Sequence, residues 1–105
     1  MKPLRPDHFK MVRRAVFAAV GPDNVEAIFL VGSFARGEQV RSSDLDIMVR
    51  GKQPLTWSHL ARLREAFDDS DLPYWVDIVD FHLVEPHLRD KMLAVSQVVY
   101  PGAAG

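Results

Sequence analysis

Gly32 and Ser33 are followed, after ten intervening residues, by Asp44-Leu45-Asp46, and a second acidic segment, Val76-Asp77-Ile78-Val79-Asp80, follows about thirty residues later. A Gly-Ser pair offers a phosphate its backbone N–H groups and a hydroxyl. Carboxylates two apart on a strand point to the same side. Nucleotidyl transfer needs such parts: an anchor for a triphosphate tail, and oxygen ligands for divalent ions that activate the attacking hydroxyl and neutralise the leaving pyrophosphate. The pattern therefore describes a place for a nucleoside triphosphate and its magnesium ions, with Asp44, Asp46 and one further acid as the platform.

Each piece alone is ordinary. Gly32-Ser33 by itself reads as a turn, and Asp44 with Asp46 as a solvated strand face; their conjunction at these offsets carries the argument. The third acid is chosen by strand parity, since Asp77, Val79 and Phe81 share one face while Val76, Ile78 and Asp80 share the other. Asp77 joins the pair and Asp80 is read as structural or solvated. Arg36 is close enough to the anchor to reach a phosphate, or to pair with Glu38 or an acid of the site. Ser43 assists an ion or caps the turn into the following strand.

The elements that must position these residues are legible in the apolar spacing. Phe9, Val12, Val16 and Ala19 predict a helix over 7–20, closed by Gly21-Pro22. The run Ala27-Ile28-Phe29-Leu30-Val31 predicts a strand covered on both faces that delivers Gly32-Ser33 at its carboxyl end. A short helical turn is expected over 34–39, then a strand over 44–49 with Leu45, Ile47 and Val49 opposite the acids. Thr56 is placed to cap a helix carrying Leu60, Leu63 and Phe67. A third strand over 74–81, a helix opened by Pro86 and a short last strand at Val98-Val99-Tyr100 complete the chain. The expected fold class is α/β (α+β), a small mixed sheet flanked by helices in the order α-β-β-α-β-α with a possible short last strand, in one domain spanning 1–105.

Composition removes several alternatives. A net charge of −1 disfavours extended binding to nucleic acid. With no cysteine there are no disulfides or thiolate metal sites, and a reducing cytoplasmic home is the simplest reading. The run Ala15 to Val20 abuts Arg13-Arg14 and is read as part of an amphipathic helix rather than a signal segment. No stretch approaches the roughly twenty apolar residues of a membrane span. His8, His59, His82 and His87 are assigned to the surface or to helix starts rather than to metal. Trp57 and Trp75 are read as core or interface residues before base-stacking ones, and Lys10, Arg13 and Arg14 as a solvated helix face.

The joint motif resembles the DNA polymerase beta-type nucleotidyltransferase superfamily, and within it the minimal (MNT) branch. The matching residues are Gly32-Ser33-Phe34-Ala35-Arg36-Gly37-Glu38 with Ser42-Ser43-Asp44-Leu45-Asp46, and Leu72-Pro73-Tyr74-Trp75-Val76-Asp77-Ile78-Val79-Asp80. The resemblance implies that Gly32 and Ser33 contact the triphosphate, that Asp44 and Asp46 bind magnesium, and that Asp77 is the third carboxylate, helping to activate the acceptor hydroxyl. It implies ATP as substrate with two Mg2+ ions. Larger members carry an added acceptor-binding domain, for which no room is expected here, so a protein partner or a homo-oligomer must complete the cleft. Proteins of this branch are typically encoded beside a helical HEPN ribonuclease. The implied activity is that of an antitoxin transferring AMP from ATP to a tyrosine of that toxin. Two alternatives are a non-catalytic antitoxin that neutralises by binding and an enzyme modifying a small molecule of the aminoglycoside type.

Overall fold

The apolar spacing of the first segment produces α1 (Pro6–Val20), with Pro6 at its first turn and Val12, Ala15, Val16, Ala19 and Val20 buried along one stripe. The computed structural model describes residues 4–39 and 44–101. His8 is buried at this helix start, where its Nδ1 accepts the Arg5 backbone N–H at 3.2 Å and its ring meets Tyr74 edge-on. Gly21, at φ +93°, ends the helix, and a 3-10 turn leads into β1 (Val25–Val31).

β1 runs directly into α2 (Gly32–Arg36), a single helical turn that begins at Gly32, two residues earlier than expected. Gly32 has φ +75°, so the chain reverses from extended Val31 without any intervening loop. Gly37, in the left-handed conformation, closes that turn. β2 (Leu45–Gly51) follows, then α3 (Trp57–Asp68), whose Thr56 cap works as its residue type predicts: Oγ1 accepts the His59 N–H at 3.1 Å while His59 Nδ1 accepts the Thr56 N–H. β3 (Val76–Asp80) is shorter than the expected 74–81. α4 (Pro86–Ala94) is capped by the Glu85 carboxylate, which accepts the N–H groups of His87 and Leu88, and β4 (Gln97–Tyr100) ends the order.

The four strands form one mixed sheet in the order β3-β2-β1-β4. β1 is antiparallel to both neighbours, whereas β2 and β3 are parallel and joined across α3. α1 and α3 pack on each other and cover the face that carries Ile28, Leu30, Leu45, Ile47, Val49 and Val76. Each fully buried aliphatic side chain there stabilises the fold by roughly 1.5–3 kcal/mol. On the second face Ala27, Val31 and Met48 are also buried, with α4 lying against β1. Arg13, expected on a solvated face, instead donates to the Val99 carbonyl at 3.2 Å and ties α1 to edge strand β4. Its long side chain spans a gap between elements that spacing along one helix does not reveal.

Candidate active site

The second face of the sheet lines up the acids. Val31, the last residue of β1, is the Cα partner of Asp46, and Asp46 is the Cα partner of Asp77 on parallel β3. Residues level with one another on neighbouring strands point the same way, so Asp46 and Asp77 stand side by side while Gly32-Ser33 begins where β1 ends. Gly32 matters through what it lacks, because a Cβ there would fall on the Asp46 carboxylate. Asp44 lies just ahead of β2, exposed to solvent.

Asp46 is the most enclosed of the three acids, and its carboxyl is raised above the ordinary aspartate range. Burial is the largest cause, followed by the negative charges of Asp77 and Asp44, with the Arg36 guanidinium opposing them. Arg36 divides its attention: its Nε stands 3.3 Å from Glu38 Oε2 in an exposed pair. Among the described residues no three carboxylates or histidines converge as a ready-made metal cluster. The donor set nonetheless fits magnesium. All three donors are hard oxygens, the ion keeps several waters and needs only one or two direct carboxylates, and a cation would relieve the repulsion that adds to burial in raising Asp46.

Asp80, of opposite parity, serves the framework. Its Oδ2 accepts the Leu55 N–H at 2.7 Å and its Oδ1 the His82 N–H at 2.9 Å, fastening the segment before α3 to the end of β3. His82 contacts the Gly51 carbonyl through Nε2, which leaves it no place in the acidic site. Ser33 is partly buried at the start of α2. Ser43, the remaining candidate nucleotide contact, lies outside the described residues.

Neither tryptophan belongs to the core: Trp57 is 88% exposed and Trp75 57%. Trp75 enters the site instead. Its indole Nε1–H donates to Asp77 Oδ1 at 3.2 Å. Sequence reasoning missed this contact, though the signal was available, since Trp75 lies two residues before Asp77 and shares its strand parity. A cleft of about 400 Å³ between α1 and the end of α3, lined by Met11, Arg14, Ala18, Ala66 and Asp69 among others, contains none of the candidate residues.

Residues 18–102 match the family described as polymerase beta, nucleotidyltransferase. A Haemophilus influenzae protein, named provisionally as the protein adenylyltransferase MntA, is 33% identical over 72 residues, covering 69% of this chain and 63% of its own length. The chain thus spans less than two thirds of that relative. A chain of a crystal structure of a toxin–antitoxin with AMP-PNP superposes with a TM-score of 0.73 at 22% identity, over 91% of this chain and 75% of that one. A chain of a structure of a tri-AMPylated Shewanella oneidensis HEPN toxin with its MNT antitoxin superposes at 0.60, with 19% identity over 93% and 74%. At these identities the two structures establish likeness of fold.

Proposed function

This chain belongs to the polymerase beta nucleotidyltransferase family, and from that premise we propose that it is an antitoxin that transfers AMP from ATP to a tyrosine of a partner HEPN ribonuclease toxin in the cytoplasm. The observation that carries the reading is that Asp46 and Asp77 stand level on neighbouring strands, with Gly32, just beyond the end of β1, pressed against the Asp46 carboxylate. The protein adenylyltransferase name of the Haemophilus relative and the HEPN toxin in the Shewanella complex support the choice of acceptor.

Asp44 and Asp46 would hold magnesium, with Asp77 beside them. When bound there, magnesium neutralises charge on the triphosphate and makes the acceptor hydroxyl more acidic. The Ser33 hydroxyl and the backbone N–H groups beside it hold the β- and γ-phosphates. Asp77 accepts the proton of the tyrosine hydroxyl. The phenolic oxygen then bonds to the α-phosphorus as the bond to the β-phosphate oxygen breaks, and pyrophosphate leaves. The phosphodiester placed on the toxin adds bulk and negative charge at its own active site.

The test is to incubate the purified protein with its HEPN partner, ATP and magnesium, and to weigh the partner. A gain of one or more AMP units located on tyrosine is expected. A folded, interacting pair whose masses do not change would sink the transfer reading and leave neutralisation by binding.

A further inference from the structure

Trp75 is a large apolar side chain left more than half exposed, yet it is held from two sides. Its indole N–H is bonded to Asp77 Oδ1. The Arg64 guanidinium stands 4.2 Å from the ring centroid, and the same guanidinium donates to the Val76 carbonyl. Arg64 comes from α3, which is anchored in the core through the neighbouring Leu63 and through Phe67. The clamp is therefore built from two rigid elements, α3 and β3, as precise placement of a side chain requires.

An exposed indole with one surface covered by a cation and its N–H engaged still offers flat apolar area beside the Asp77 carboxylate. A hydroxyl bonded to that carboxylate lies on the order of 5 Å from the indole nitrogen, given ordinary hydrogen-bond lengths. A phenol in that position brings its ring within contact range of Trp75. Aromatic pairs gain beyond the area they bury, and a serine or threonine hydroxyl has no ring to offer.

We propose that Trp75 is the positioning and acceptor-selecting residue of this site: its N–H orients Asp77, and the surface Arg64 leaves open receives the ring of the acceptor tyrosine. The inference rests on the transfer reading above and adds which residue recognises the acceptor. A merely structural tryptophan would affect both acceptors equally and nucleotide binding with them; this one costs either acceptor the orientation of Asp77, and costs the tyrosine its ring contact besides.

The experiment uses the HEPN partner with its acceptor tyrosine, and the same partner with that tyrosine exchanged for serine. Trp75→Ala is expected to slow both acceptors through the loss of the bond to Asp77, to lower kcat/KM for the tyrosine partner about tenfold more than for the serine partner, and to keep the wild-type thermal shift with magnesium and ATP. Trp75→Phe should recover KM, having a ring, but not kcat, lacking the N–H. Unchanged tyrosine kinetics in Trp75→Ala, or equal losses with both acceptors, would overturn the proposal. A second readout needs no transfer: in a Trp57→Phe background Trp75 is the single indole, and Asp77→Ala, which removes the acceptor of its N–H, should shift its fluorescence emission. If the wild type transfers nothing, the transfer reading fails by itself; an emission unmoved by Asp77→Ala overturns the clamp whatever the activity.

Discussion

Asp46 Oδ2 lies 2.1 Å from the point where a Cβ on Gly32 would stand, a separation no real side chain tolerates. Gly32 also holds φ +75°, where any other residue type is strained. Glycine is thus required twice, by its own backbone and by a carboxylate on the neighbouring strand. Gly32→Ala is expected to cost about 1–3 kcal/mol from backbone strain, and to displace the Asp46 carboxylate. Thermal denaturation should report the first effect. The second should appear as a loss of AMP transfer of about a hundredfold or more, as for small misplacements of reacting groups. An alanine variant with wild-type transfer would contradict the assignment of this contact to the site.

Asp46 predicts a pH dependence whose sign is opposite to that of a salt-bridged aspartate. Burial and the charges of Asp77 and Asp44 raise its carboxyl in the folded protein, while in the unfolded chain it has the ordinary value. Between those two values the folded state binds more protons, so Asp46 makes stability fall as pH rises through that window. Asp46→Asn removes the effect. In EDTA at neutral pH it should raise the melting temperature by on the order of a few degrees, with the difference vanishing below the ordinary aspartate pKa. Transfer should be abolished in the same variant, and a fully active Asp46→Asn would exclude the residue from the reaction.

Magnesium with ATP should reverse that cost. A ligand pair bound only by the folded state stabilises it by about 2.7 kcal/mol at a hundred times its dissociation constant, easily seen as an upward thermal shift in the wild type. The shift should be absent with either component alone or after EDTA. It should weaken on acidification at a pH above the ordinary aspartate range, because protons compete for the raised Asp46 carboxyl. Scans across pH at fixed magnesium and ATP measure this directly; no shift at any pH would leave the acidic face without its ligand.

Much of this arrangement was legible in the residues because it depends on local periodicity. Two-residue alternation aims Asp44 and Asp46 away from Leu45, Ile47 and Val49, and separates Asp77 from Asp80; Thr56 announces the start of α3 by its side-chain oxygen. What was hidden depends on contacts between distant segments. The helix beginning at Gly32 follows from a close approach across strands, which no spacing along one strand encodes. Arg13 reaching the Val99 carbonyl, and Arg64 lying over Trp75, join long side chains to groups on other elements. The strand order, with β1 between β2 and β4, likewise requires the assembled sheet.

The two aspartates of β3 should separate cleanly by variant. Asp80 accepts two backbone N–H groups, from Leu55 and His82. Alanine there leaves both donors without their partner, at a cost of about 1–3 kcal/mol each where water cannot replace it. Asp77 is exposed and accepts from the Trp75 indole, so Asp77→Ala should change stability by about 0.5 kcal/mol or less, as surface substitutions do. Activity should follow the opposite order. Asp80→Ala, assayed well below its lowered melting temperature, should keep most of its AMP transfer, and Asp77→Ala should lose it by a factor of about a hundred or more. Denaturant melts and single-turnover transfer on the same two preparations decide the matter. A stable but inactive Asp80→Ala beside an active Asp77→Ala would exchange their roles and break the link between strand parity and chemistry.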